Sequence, residues 1–214
     1  MQTIAIVDYG MGNLHSVGKA MERVAGDSAR VLITHRAQDI ADADRVVFPG
    51  VGAMRDCMNE LNRLQLVAPL KEAMRVKPVL CICVGMQSLM DSSEENDGVS
   101  CLRVVPGRVR FFGNALGESA GRVGLKIPHM GWNQVRQVSD HPMWAGIEQN
   151  SRFYFVHSYF VEPNDAAVTI GECEYGVKFA AAIATGKVFA VQFHPEKSQR
   201  AGLQLLGNFV RWPG

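Results

Sequence analysis

The 214-residue sequence lacks an excess of either charge: 22 basic residues face 21 acidic ones, spread along the chain. No basic block or acidic tail stands out, so nothing favours a nucleic acid or an anionic membrane surface as partner. No apolar run approaches the ~20 residues that span a bilayer. The opening MQTIAIVDYGMGN has neither the charged head nor the long apolar stretch of a secretory signal, and the expected location is the cytoplasm. Cysteine is scarce and odd in number: Cys57, Cys81, Cys83, Cys101 and Cys173, with no C-x-x-C pair. That usage suits a reducing compartment and argues against a disulfide frame or a zinc site. Internal repeats and low-complexity tracts are absent. So is a dinucleotide fingerprint, because Tyr9-Gly10-Met11-Gly12-Asn13 is spaced G-x-G-N and lacks the acidic residue that completes such a site. No cofactor and no metal is expected.

What is present is a hydrophobic fraction of 47% with 20% charge, the profile of a globular chain with one sizeable core. Short β-branched runs alternate with helical spacing through the first half. Residues 3–9, 30–35, 45–50 and 78–83 read as strands. Residues 13–25 carry Leu14, Val17, Ala20, Met21 and Val24 at helical spacing. Residues 53–75 read as one or two helices with a break near Ala68–Pro69. Alternation of this kind implies right-handed βαβ units and a parallel sheet. The second half is richer in strands, expected at 104–112, 123–135, 152–161, 166–175, 177–186 and 187–196. Ala184 to Lys187 reads as a hairpin turn, and 198–212 as a closing helix.

Three segments carry chemistry. In Leu80-Cys81-Ile82-Cys83-Val84-Gly85-Met86-Gln87, a strand runs into a cysteine, a tight turn and a helix. This is the logic of a nucleophile elbow, which exposes the nucleophile at the carboxyl end of a sheet. The helix N-terminus and a neighbouring imidazolium both favour thiolate. Taken alone, the two cysteines also fit buried, inert thiols. Cys83 is preferred because it stands at the strand end, with Cys81 beneath it. Far downstream, Gln192-Phe193-His194-Pro195-Glu196 places a histidine at another strand end, with a carboxylate two residues on. In an extended segment those side chains share a face, so Glu196 could orient the His194 ring. In Pro49-Gly50-Val51-Gly52, two glycines flank one residue after the third strand. A peptide N–H of that loop, with the Val84 N–H, is a candidate donor to a developing oxyanion.

Together these segments resemble the class I (triad) glutamine amidotransferases, whose signature is G-x-C-x-G-x-Q at the elbow and H-P-E near the C-terminus. Within that class the chain is similar to the glutaminase subunits of imidazole glycerol phosphate synthases, through IVDYGMGN, FPGVGA, CICVGMQ, PHMGWN, FVHSYF and VQFHPEKS. The resemblance spans nearly the whole chain. It implies one α/β amidotransferase domain over 1–214 with a flavodoxin-like fold. A mostly parallel central sheet would carry helices on both faces, with additional antiparallel strands in the C-terminal half. It also implies a Cys83–His194–Glu196 triad and an oxyanion environment from Val51, Gly52 and Val84. Gly52, Gln87, Glu95, Ser158 and Tyr159 would hold glutamine, with Glu95 facing the substrate's α-ammonium. Asn13, His129, Met130, Gly131, Trp132, Asn133 and Lys197 would face a cyclase partner, a (β/α)8 barrel forming a heterodimer with this chain. Ammonia would pass through that barrel to N′-phosphoribulosyl-formimino-AICAR-phosphate, giving imidazole glycerol phosphate and AICAR. Four features depart from the pattern: Cys81 in place of glycine, Val84 in place of leucine, Ser88 in place of an apolar residue, and a loop 113–124 longer than expected. Stand-alone cysteine hydrolases of this fold can place histidine directly after the nucleophile, where this chain has Val84.

Overall fold

A computed structural model describes residues 1–116 and 125–214. In the first half, β1 (Gln2–Val7), α1 (Leu14–Ala25), β2 (Ala29–Thr34), α2 (Ala37–Asp42) and β3 (Arg45–Gly50) lead to a helical pair, α3 (Met54–Arg63) and α4 (Val67–Val76). Next come β4 (Val79–Cys83), the one-turn α5 (Val84–Gln87), and the short strands β5 (Ser92–Ser93) and β6 (Val99–Ser100). After β7 (Gly107–Phe111) and α6 (Phe112–Leu116) the chain is strand-rich: β8 (His129–Gln134), β9 (Arg136–Gln137), β10 (Arg152–His157), β11 (Tyr159–Pro163), β12 (Thr169–Tyr175), β13 (Val177–Thr185) and β14 (Val188–Val191). Helix α7 (Gln199–Arg211) closes the fold.

The main sheet runs β2-β1-β3-β4-β14-β13-β12-β9. Its first five strands are mutually parallel and the rest antiparallel. Strands β3, β4 and β14 are buried along their whole length, as their unbroken apolar runs require of strands covered on both faces. The crossover from β1 to β2 runs one way along the sheet and the crossovers from β2 to β3 to β4 run the other way. Right-handed connections therefore put α1 on one face and α2, α3 and α4 on the opposite one. Contacts agree: α1 packs on α7, and α2 on α4. Two smaller sheets, β8 with β10 and β11-β7-β5-β6, lie beside this frame. Among the described residues, no helix is long and apolar enough to cross a membrane.

Three sequence expectations are corrected. The break within 53–75 falls at Leu64–Leu66, where Gln65 takes φ 57°, and Pro69 lies inside the first turn of α4. The first-turn N–H groups have no intrahelical acceptor, so a proline costs nothing there. The expected strand 152–161 is two strands that separate at Ser158 into different sheets, β10 on β8 and β11 on β7. Within the expected loop 113–124, residues 113–116 belong to α6, and 117–124 lie outside the described residues.

Register sets the site. Gly50 at the end of β3 pairs with Cys83 at the end of β4, and Val191 of β14 pairs with Ile82. The Val51–Gly52 loop, Cys83 and Gln192 thus emerge side by side at one rim, the carboxyl ends of parallel strands.

Candidate active site

Cys83 is the one-residue hinge between β4 and α5. Its φ of 55° and ψ of −110° are left-handed values that a side-chain-bearing residue holds only under constraint. The constraint comes from packing of the elbow against β3. A Cβ on Gly85 would stand 2.2 Å from the Phe48 carbonyl oxygen, so only glycine lets the turn sit that close. The Ser88 hydroxyl donates to the Gly85 carbonyl at 2.8 Å, which satisfies the polar group found where an apolar one was expected. Behind the elbow, Cys81 is fully buried, and desolvation pushes its thiol up, out of reach of ionisation near neutrality. Helix α5 is a single turn, so the helix-dipole contribution expected from the sequence is confined to four residues.

His194 follows β14. Its backbone N–H donates to the Tyr154 carbonyl at 2.9 Å, and the Ser198 hydroxyl donates to its carbonyl at 2.6 Å. Nδ1–H donates to Glu196 Oε1 at 2.8 Å, with both side chains almost entirely buried. Glu196 reaches the ring from a 3-10 turn over Pro195–Lys197, so the turn brings the two together, where strand alternation was expected. Burial alone would lower the His194 imidazole, but its interactions with Cys83 and Glu196 outweigh that and raise it to about 10. Nε2 is buried without a formed hydrogen bond and is the atom through which the ring exchanges a proton with a neighbouring group.

Cys83 and His194 line one cavity of about 310 Å³, together with Val51, Gly52, Val84, Gln87, Glu95, His157, Ser158 and Tyr159. Gly52 has φ +87°, and Val51 is one of the few exposed large apolar residues. Glu95 is anchored by accepting the Met54 N–H, at the start of α3, at 2.7 Å. Among the described residues, no cluster of three or more His, Cys, Asp or Glu is placed to hold a metal ion. A strained cysteine, a carboxylate-oriented imidazole and a glycine-flanked loop around one cavity are the parts that nucleophilic acyl transfer requires.

Comparison with known proteins gives that chemistry a lineage. A family model described as glutamine amidotransferase class-I matches residues 5–212. The chain belongs to the class-I glutamine amidotransferases. This amidotransferase is 58% identical over 214 residues to the imidazole glycerol phosphate synthase subunit HisH 1 of Pseudomonas aeruginosa, covering 100% of this chain and 99% of that protein. It is 56% identical to the subunit HisH of Pseudomonas syringae, with the same coverage. Its fold is shared with the glutaminase domain of Trypanosoma brucei CTPS, at a TM-score of 0.66, 17% identity, and coverage of 100% of this chain and 96% of that one.

In this amidotransferase every expected triad, oxyanion and substrate residue borders the cavity except Glu196, which stands behind His194. The expected interface residues divide by strand alternation. Met130 and Trp132 point outward, 62% and 43% exposed, and Trp132 packs edge-on to Tyr154, over which Lys197 also lies. His129 is buried and points inward with Asn133, so its ring is not available to touch a partner, and a side chain at Gly131 would meet nothing within 4 Å. Asn13 precedes α1 without capping it through its side chain. Gln192 escaped the sequence reading, as did His157, which lines the cavity. Gln192, fully buried, donates from Nε2 to the Cys83 sulfur at 3.6 Å and accepts from Gln87 Nε2 at 3.0 Å. Its signal was its place at the end of β14, two residues before His194.

Proposed function

We propose that this amidotransferase is the glutaminase subunit of an imidazole glycerol phosphate synthase in histidine biosynthesis, and that it passes ammonia to a cyclase subunit. The observation that carries the reading is the buried His194–Glu196 pair meeting the strained Cys83 elbow at one cavity. Glutamine enters with its amide carbon toward Cys83, its α-ammonium near Glu95, and its body held by Gln87, Ser158 and Tyr159. The Cys83 sulfur attacks the amide carbon as the thiolate, its proton already resting on His194 Nε2. Negative charge on the amide oxygen meets the Val84 N–H and a peptide N–H of Val51–Gly52. The C–N bond then breaks, Nε2 returns its proton to the leaving nitrogen, and ammonia departs. A water, deprotonated by the same ring, cleaves the γ-glutamyl thioester to glutamate and releases the Cys83 sulfur, with the proton left on His194. Glu196 holds the ring in the Nδ1–H tautomer throughout and stabilises the imidazolium.

The partner reading follows from protonation chemistry. In bulk water near neutrality ammonia becomes ammonium, which is no nucleophile, so a closed route to the synthase site preserves its reactivity. The exposed pair Met130 and Trp132, with Lys197 beside them, forms an apolar patch suited to a (β/α)8-barrel cyclase in a heterodimer. The test is glutamate release by the complex. Cys83→Ala is expected to lose at least about 10³-fold in rate while still binding the cyclase. A variant that hydrolyses glutamine at the native rate would sink the assignment.

A further inference from the structure

A continuous run of hydrogen bonds joins strand β8 to the nucleophile, with donors on either side meeting at the Tyr159 carbonyl. Asn133 Nδ2 donates to the Glu174 carbonyl at 2.9 Å and lies 3.2 Å from His129 Nε2. His129 Nδ1 lies 2.9 Å from His157 Nε2, and His157 Nδ1 lies 2.8 Å from the Tyr159 carbonyl oxygen. That oxygen also accepts from Gln87 Nε2 at 2.9 Å, and Gln87 leads through Gln192 to the Cys83 sulfur.

The polarity of this run follows from its fixed ends. A carbonyl only accepts, so His157 Nδ1 carries a proton. The Asn133 amide nitrogen only donates, so His129 Nε2 must accept and His129 Nδ1 carries the proton given to His157. Both rings are therefore neutral, and protonating either would set donor against donor. Burial acts in the same direction, lowering His129 to about 4 and His157 to about 3. His129 is also clamped, stacked on Tyr175 at 4.1 Å and on Phe155 at 4.8 Å between ring centroids. It pairs directly with His157 across β8 and β10. A ring held in this way cannot shift independently of its strand.

Strand β8 thus presents two faces. Met130 and Trp132 face outward, and His129 and Asn133 reach inward to the relay. We propose that the His129–His157 pair is a positioning relay that transmits the placement of β8 to Tyr159, Gln87 and Cys83, so that docking on the outer face tunes the glutaminase site. The proposal rests on the glutaminase and partner reading above. Neither ring touches the reacting atoms. Both act through the Tyr159 carbonyl, which fixes the Gln87 amide and the edge where glutamine would lie. Hydrogen bonds near 2.9 Å leave little slack, so movement of β8 is passed along the run or breaks it.

Two measurements test it. The first is the glutaminase kcat of the chain with and without the cyclase subunit, in the native protein, His129→Phe and His129→Asn. Phenylalanine keeps the stacking and removes both hydrogen bonds, whereas asparagine restores a donor toward His157. The ratio of stimulated to unstimulated kcat is expected to fall about 10-fold in His129→Phe, with cyclase affinity and unstimulated kcat retained, and to recover in part in His129→Asn. An unchanged ratio in His129→Phe, or equal loss in both variants, overturns the relay. The second reads the ring nitrogens of the native chain by 15N NMR at pH 7. His129 and His157 are both expected as neutral Nδ1–H tautomers whose signals shift when the cyclase binds. An Nε2–H tautomer on either ring, or no shift on binding, overturns the relay even if the variants fail to fold. Native rates that are equal with and without cyclase would instead overturn the coupled-glutaminase reading, while the ring tautomers report on the relay separately.

Discussion

Replacing Gly85 with alanine tests whether the elbow depends on close approach to β3. The added Cβ would lie 2.2 Å from the Phe48 carbonyl oxygen, and such contacts essentially never fall below 3.0 Å. The elbow must therefore move away from β3 by about 0.8 Å, because the opposing atom belongs to the backbone of a central strand paired on both sides. Overpacking of this kind costs about 1–3 kcal/mol of folding stability. A displacement approaching 1 Å at the nucleophile costs about 10²-fold in rate. Urea unfolding and the glutaminase kcat of the complex measure the two effects. Gly18→Ala is the control: its Cβ meets only the tip of the Ile33 side chain at 3.2 Å, within α1 and away from the cavity. That variant should keep full activity and hold or gain stability, since alanine favours a helix over glycine by roughly 0.5–1 kcal/mol. If Gly85→Ala unfolded like the native chain and turned over at the native rate, tight elbow packing would not be what positions Cys83.

Two further outcomes follow from the same geometry. Cys83→Gly and Cys83→Ala both lack the thiol, but only glycine accepts φ 55° and ψ −110° without strain, so Cys83→Gly should be about 1 kcal/mol more stable; equal stability in urea would remove strain from the account. Stability against pH should peak near 6.5. Below it, the unfolded chain takes up protons that His129 and His157 refuse down to about 4 and about 3, so stability falls with acid. Above it, His194 keeps a proton up to about 10 that the unfolded chain has released, so stability falls with alkali. His157→Phe should flatten the acid limb and His194→Phe the alkaline one in urea titrations; unchanged limbs would contradict these assignments.

How much of this was legible in the sequence depends on where each determinant lies. The limits of β3 and β4 could be read because doubly covered strands are unbroken apolar runs ended by glycine or by the elbow. The break at Gln65 could not, since a left-handed residue between helices leaves no compositional mark when it is not glycine. In RFYFVHSYFV the apolar pattern runs on without a turn residue. Only pairing with β8 on one side and β7 on the other decides that Ser158 changes sheets.

The triad was read through its titratable residues and the other site residues through the family resemblance, which explains what was missed. Cys83, His194 and Glu196 announce reactivity by type, whereas Gln192 is a neutral amide whose meaning exists only once β14 stands beside β4. His157 stands in FVHSYF with nothing beside it to mark a partner, and that partner, His129, lies 28 residues away on another strand. Among the described residues, five buried polar side-chain atoms lack a hydrogen bond, and three of them, Tyr9 Oη, His194 Nε2 and Glu196 Oε2, gather at or behind this rim. The Tyr9 hydroxyl lies against Gly50, 2.5 Å from where a Cβ would stand. Unpaired groups and a strained φ are costly anywhere, and a stability-driven sequence would remove them. Their concentration at the ends of β3, β4 and β14 shows where this chain gives up stability for chemistry, and the rigid parallel sheet beneath is what lets it do so without unfolding.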